Sequence, residues 1–455
     1  MAGIGFKIEK ILRTDTIYSS IKAHFYSAII AAGPWFLSIL TIFSLYYFKP
    51  NNIDYFENLL FRTTFNYIFA ASLIFTGTLY LSLSRYLADK LYLEDTEALA
   101  PAFNASTLII ILFQIIVGVP YMLLAEGDPL IKFLSLLIYA AVSLIWVIFI
   151  FLTALRDYNS IALGYVIGTV ITIFGALILG RYFDLIGYFI GTLLGQFTIM
   201  ILLSARIYIE FPSKRIFDKK LFSFLSNNKI LILTGIFYNL AIWIDKIVFW
   251  YSPGSIRITN FLRMFPDYEI ASFFAYMTII PFLSIFMIHV ETHFYLRYRT
   301  YYEYILNKGS YREIKAAKKE IKGSLRFGIA ILIASQSVLT IVTIIFAPNI
   351  INALALPPSI ISIFRICVLG AFLHGLLLVN IIAILYFDFK VLALLVCTTF
   401  MLLNGLFAYV TTMLPTPYIG TGYLLATILS LILSFYALNK HLKKLEFITF
   451  SKQSI

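Results

Sequence analysis

Runs of about twenty apolar residues recur along the whole of this chain, and only a bilayer accommodates so many of them. About 20 apolar residues in an α-helix cross a hydrocarbon core roughly 30 Å thick. Twelve such runs are present, at about 24–48, 62–86, 102–125, 131–155, 160–180, 184–204, 229–251, 268–291, 325–347, 360–386, 390–413 and 418–438. Of the 455 residues 61% are hydrophobic and 13% charged, and mean hydropathy is +0.90, more apolar surface than a soluble core buries. Strands of a membrane β-barrel would alternate apolar and polar residues, and these runs do not. The expectation is an all-α polytopic membrane protein of about twelve transmembrane helices.

The net charge of +12 would suggest nucleic acid in a soluble protein. Here it follows from where the bases fall. With a cytoplasmic N-terminus and alternating spans, 27 of the 35 Lys and Arg lie on the cytoplasmic side and 6 outside, with Lys246 and Arg365 inside spans. The positive-inside rule then puts both termini in the cytoplasm. Cys367 and Cys397 sit in apolar runs and read as small core residues rather than a disulfide or metal site.

Residues 1–23 form a short cytoplasmic interfacial helix by pattern, with Ile4, Ile8, Ile11 and Leu12 on one face and Lys7, Lys10 and Arg13 elsewhere. The apolar run continues past Ala31 and Ala32 to Phe48, which favours an uncleaved span over a signal peptide. A polar connection through Phe211-Pro212-Ser213-Lys214-Arg215 divides the spans six and six. The domain reading is a bundle over 24–204, a linker over 205–228, a second bundle over 229–438 and a basic cytoplasmic tail over 439–455. Halves of equal span number imply an internal repeat with a central cavity between the bundles, where a substrate would pass. An amphipathic loop, 297–326, interrupts the second bundle. Its stripe of Ile314, Ala317, Ile321 and Leu325 against Lys315, Lys318, Lys319 and Lys322 reads as a helix lying on the anionic inner leaflet.

Within the seventh run, Asp245 and Lys246 stand side by side. The acid lies roughly 22 Å from Ile230 and about 9 Å short of Tyr251, still at hydrocarbon depth. A charge there costs about 2.5–3.5 kcal/mol on insertion scales, so it turns toward protein or a wet cavity. Neighbours at i and i+1 point about 100° apart, so the pair is not expected to neutralise itself. Arg365 and His374 share the tenth run, and the similar depth of Arg365 makes it the expected partner of Asp245. For all four residues a tie between helices and a place on a transport pathway both stand. Around them Tyr238, Asn239 and Trp243 offer ring faces beside a hydrogen-bonding amide, a combination that suits a sugar. Trp250 and Tyr251 fit an interfacial belt.

Gly33-Pro34-Trp35 in the first run, Gly235 in the seventh and Pro281 in the eighth are candidate hinges, because proline frees a carbonyl and glycine resists bending weakly. Gly164 and Gly168, with Gly187, Gly191 and Gly195, keep the small-xxx-small spacing of close helix packing. His289 and His293 flank Glu291 at i and i+4, but Glu291 points away from them, so the group reads as a polar mouth and not a zinc site. No phosphate loop, nucleotide fingerprint or nucleophile elbow is present, and the loops are too short for an enzyme domain. No cofactor or metal is expected.

Met1-Ala2-Gly3-Ile4-Gly5-Phe6, Gly33-Pro34-Trp35, and Trp243-Ile244-Asp245-Lys246 followed by Phe249-Trp250 together resemble the PelG family of Pel exopolysaccharide transporters. Arg85-Tyr86 with Asp89, and Glu291-Thr292-His293-Phe294-Tyr295, are similar too. Lys-Ile-Glu-Lys at 7–10 departs from the family's more acidic start, a change confined to a surface helix. The resemblance implies a flippase-like fold of two six-helix bundles around a central cavity in the bacterial inner membrane. It implies outward passage of a polymer of N-acetylated amino sugars for a biofilm matrix. It also implies a complex with a cytoplasmic glycosyltransferase and cyclic di-GMP-responsive membrane partners. The pathway candidates are Trp35, Arg85, Tyr238, Asn239, Trp243, Asp245, Lys246, Glu291, Arg365 and His374. A lipid-linked oligosaccharide flippase, a cation-coupled multidrug antiporter and a non-transporting scaffold are the competing functions. The flippase needs several cavity cations for a pyrophosphate, and the antiporter needs Asp245 as an ion switch.

Overall fold

The computed structural model describes residues 40–452, apart from 42, 43, 46, 51 and 156, with 289–292 described as backbone only. Ten apolar helical stretches in it are long enough to cross a bilayer. One of these is a two-helix hairpin, so together they account for eleven of the twelve expected spans. The first, with the hinge and pathway candidates Gly33, Pro34 and Trp35, lies almost wholly outside the described residues. The chain packs as two compact units. The first holds the described residues up to Leu240 together with Gly254–Phe265, and the second holds Ala241–Pro253 with the described residues from Pro266 onward.

In the first unit, α1 (Tyr55–Tyr92) starts where its orphan amides are met. Asp54 accepts from the Glu57 amide at 2.6 Å while the Glu57 carboxylate accepts from the Asp54 amide at 3.0 Å, a reciprocal capping box. α2 (Leu99–Leu124) runs unbroken through Pro120, and α3 (Pro129–Ala154) opens on an Asp128 cap with proline in its first turn. α4 (Tyr158–Glu210) is the fifth and sixth spans together. Its backbone leaves the helical region at Phe183 and at Asp184, whose φ is +50°. Asn52 holds that turn by donating to the Gly180 carbonyl at 2.8 Å and to the Asp184 carboxylate. The two arms then press together at their glycines: a methyl on Gly191 would fall on the backbone of Gly175 and Ala176. Phe61 of α1 packs edge-on to Tyr188 and Phe189 of α4, at 5.4 and 5.2 Å, in the core of the unit. A short helix, α5 (Lys219–Asn227), follows, with its Asp218 cap receiving the Tyr86 hydroxyl.

α6 (Lys229–Trp250) gives its first half to this unit. It stays helical through Gly235, where the missing side chain lets it touch the backbone of Gly77 on α1. Beyond α6, a small hairpin of β1 (Ile256–Arg257) and β2 (Arg263–Met264) also belongs to the first unit. The Tyr67 hydroxyl donates to the Arg263 carbonyl at 3.1 Å and accepts from its amide at 3.2 Å. Asn260 donates to the carbonyl of Leu124 at 2.8 Å, at the exposed end of α2.

The second unit begins with the C-terminal half of α6 and continues through α7 (Pro266–Met277), α8 (Ile280–Ile285) and a π turn over Phe286–Val290 into α9 (Glu291–Leu306). Pro281 stands in the first turn of α8, directly after the break between α7 and α8. Gln336 recaptures one carbonyl of that break, donating to Thr278 at 2.9 Å. α10 (Tyr311–Ile345), α11 (Ala347–Ala353), α12 (Ile360–Tyr386), α13 (Lys390–Thr411), α14 (Thr421–Lys443) and α15 (Leu445–Lys452) complete it. α12 packs against α7, α10 and α14.

The basic loop differs from its expected form. Residues 311–326 are the first turns of α10, continuous with the ninth span, and not a separate helix lying on lipid. At 35 residues α10 is about 52 Å long, well beyond a hydrocarbon core of about 30 Å. Its stripe of Ile314, Ala317, Ile321 and Leu325 is buried, and α9 packs alongside. Lys318 is buried with it, donating to the Lys443 carbonyl at 2.9 Å and pairing with Glu446 of α15.

Candidate functional site

Asp245 and Lys246 are both buried, 1% and 8% exposed, in the half of α6 that belongs to the second unit. Contrary to the expectation from i, i+1 geometry, they do neutralise each other. The Cβ atoms diverge, but the four-carbon lysine stem folds back over the helix. Its Nζ reaches Asp245 Oδ1 at 3.3 Å and Oδ2 at 3.4 Å, and also donates to the Ile242 carbonyl at 3.2 Å. The Lys246 amide donates to Asp245 Oδ1 at 2.9 Å.

α7 supplies the remaining partner. Pro266 starts that helix, which places Tyr268 and Glu269 in its first turn beside the end of α6. The Tyr268 hydroxyl donates to Asp245 Oδ2. Glu269, itself buried, accepts from Trp250 Nε1 at 2.7 Å. Each helix therefore contributes one acid and one aromatic donor, crossed to the other's. The Tyr268 ring also packs on Phe249, with centroids 4.4 Å apart. Trp250 is thus a core residue, 3% exposed, and not part of a lipid-facing belt.

Three rings surround the lysine nitrogen: Tyr276 at 5.3 Å, Trp243 at 5.8 Å and Tyr268 at 5.8 Å to their centroids, all within cation–π range. Tyr276 carries the cluster inward. Its hydroxyl lies 3.4 Å from His374 Nδ1 on α12, and the same nitrogen lies 3.0 Å from the Tyr423 hydroxyl of α14. On the other flank Asn404 of α13 donates to the Ala241 carbonyl at 2.8 Å. The C-terminal half of α6 is thereby tied to α7 and α13, and α7 through His374 of α12 to α14.

The expected pairing of Asp245 with Arg365 does not occur. Arg365 is exposed and donates through Nε to the Ile344 carbonyl at 3.0 Å. Equal depth along two helices does not put two side chains on facing sides. Asn239 donates to the Gly235 carbonyl of its own helix at 3.0 Å, and Tyr238 beside it is half-buried. Arg85 is exposed near the end of α1 in the first unit. Trp35 and the Glu291 side chain lie outside what the structure describes. Tyr268, Glu269, Tyr276 and Tyr423 were not singled out from sequence. The available signal was Glu269 at the start of an apolar run, with tyrosines at 268 and 276 framing it.

The sequence pattern of the PelG family, the exopolysaccharide exporters (EPS-E), matches residues 1–450. The chain belongs to the PelG family. It is a multi-pass membrane transporter of the exopolysaccharide-exporting kind. Its fold is that of the solved multidrug transporters of the MATE group. It is similar to a crystal structure of MATE in the straight conformation, with 13% identity, TM-score 0.66, and 94% of this chain and 96% of that one covered. A multidrug resistance MATE family transporter of the MOP superfamily in its outward-facing conformation is similar at 14% identity and TM-score 0.67, over 94% and 97%. A MOP superfamily transporter from Pyrococcus furiosus, described as having a binding pocket of reversed polarity, is similar at 12% identity and TM-score 0.64, over 93% and 95%. Identities this low carry the fold alone. No curated protein matches the chain in sequence.

Proposed function

We propose that this PelG-family chain carries an amino-sugar exopolysaccharide from the cytoplasm outward, to supply a biofilm matrix. In this reading both termini are cytoplasmic. A cytoplasmic glycosyltransferase delivers the growing polymer, and membrane partners responsive to cyclic di-GMP control it. The observation that carries the reading is the family match running from residue 1 to residue 450. Among the pathway candidates, the buried Asp245, Lys246 and His374 hold helices of the second unit in register. The half-buried Tyr238, Asn239 and Trp243, with Arg85 and Arg365, are the remaining candidates to meet carbohydrate.

The geometry supports an exporter over its two transporting rivals. An antiporter's ion switch must be free to exchange its cation, and Asp245 already holds Lys246 and the Tyr268 hydroxyl. A flippase for a pyrophosphate-linked sugar needs several cations to spare, and of the candidate cations Lys246 and Arg365 are already engaged. The test is reconstitution with the glycosyltransferase in sealed vesicles, with labelled amino-sugar precursor supplied outside. Exported polymer should become enclosed and resist an added glycoside hydrolase. Complete digestion of the polymer would overturn the reading.

A further inference from the structure

The Lys246 nitrogen sits in a setting with the chemistry of a ligand site. One carboxylate, one main-chain carbonyl and three ring faces converge on it, and its side chain is only 10% exposed. Carboxylate and carbonyl accept N–H bonds, and the rings hold positive charge through their quadrupoles. We propose that this is a binding site for a primary ammonium ion whose occupant is built into the chain, the Lys246 ammonium serving as a tethered ligand.

Two features favour this over an ordinary helix-to-helix ion pair. The lysine does not reach for an acid on another helix; it folds back onto its immediate neighbour and onto a carbonyl of its own helix. Its other surroundings are aromatic faces, two of them from α7. Among the described residues the carboxylate at the nitrogen is that of Asp245, and it already accepts from Tyr268. Hard cations take several oxygen ligands, so sodium and potassium are poorly served and an ammonium well served. It follows that Asp245 is neutralised with no dissolved cation, whichever polymer the protein carries.

Removing the stem exposes the site to test. Lys246→Ala deletes Cγ, Cδ, Cε and Nζ, which are the heavy atoms of n-propylammonium. Thermal unfolding of the purified protein in phospholipid nanodiscs, at fixed ionic strength, reads occupancy. Wild-type protein should melt at the same temperature in sodium, potassium and n-propylammonium chlorides. Lys246→Ala should melt lower and recover saturably with n-propylammonium. It should not recover with tetramethylammonium, which has no N–H for Asp245 and Ile242. Asp245→Asn combined with Lys246→Ala should lose the response. Equal recovery with sodium, or none in a folded Lys246→Ala protein, overturns the proposal. If Lys246→Ala does not fold, acylation of lysines in folded wild-type protein decides: Lys246 should react far more slowly than exposed Lys319 and Lys440, and faster in Tyr276→Leu. Modification of Lys246 at the rate of the exposed lysines, or no change in Tyr276→Leu, overturns it equally.

Discussion

A carboxylate at hydrocarbon depth is tolerable only when something offsets its charge, and for Asp245 that is a neighbour one residue away. Truncating it leaves the Lys246 ammonium buried among rings and a single carbonyl. Breaking such a buried pair costs about 3–5 kcal/mol, whereas replacing both members by apolar groups is often near neutral. Asp245→Ala is therefore expected to lower the melting temperature strongly, and Asp245→Ala combined with Lys246→Met to recover most of the loss. A double-mutant cycle on the two positions measures the coupling; simple additivity of the single losses would show the pair to be unlinked. The two charges were legible in the sequence because ionisable residues stand out in an apolar run. Their tyrosine partners were not, because tyrosine occurs 31 times in this chain and any one of them can be assigned to an interface. Arg365 misled for a related reason: sequence gives depth along a helix, but the side it faces depends on packing.

Helix-level features divide in the same way. The glycine spacing foretold the close packing of the two arms of α4, since it reports a local steric need. The stripe on α10 foretold burial but not its cover, because lipid and a protein neighbour ask for the same apolar face. At the base of the α4 hairpin, Asp157 joins the two arms. It caps the first arm through the Ser160 amide at 3.3 Å and receives Arg206 Nε of the second at 2.6 Å. Burial alone would raise the Asp157 carboxyl, but hydrogen bonds from Arg206 and Ser160 outweigh it and hold the group below the usual carboxylate range. A carboxyl that binds its proton less readily folded than unfolded adds stability above its unfolded value of about 3.9, and that stability disappears as pH falls through the lowered folded value. Asp157→Asn should thus melt lower than wild type at pH 7. The gap should close as pH is lowered from about 5 through the carboxyl's depressed folded value, in melting curves of the detergent-purified protein. A gap that persists unchanged at low pH would assign the difference to the cap and not to the charge.

For the molecule as a whole, direction of transport depends on orientation, and orientation rests on the bias of 27 basic residues on one side against 6 on the other. Insertion favours keeping Lys and Arg on the cytoplasmic face, so the hairpin of β1 and β2 should face outward and the leading turns of α10 inward. Both places carry exposed basic side chains, Arg257 on β1 and Lys315 on α10. Neither native cysteine interferes, because Cys367 and Cys397 are both buried. Arg257→Cys should react with a membrane-impermeant maleimide in intact right-side-out spheroplasts, and Lys315→Cys only after they are opened. The reverse pattern would invert every span. It would put the basic ends of α9 and α10, where a cytoplasmic glycosyltransferase is proposed to deliver polymer, on the wrong side of the membrane. Labelling of both sites in sealed spheroplasts would mean that the six-and-six alternation of spans is itself miscounted between Trp250 and Tyr311, the stretch that contains the helix break before Pro281.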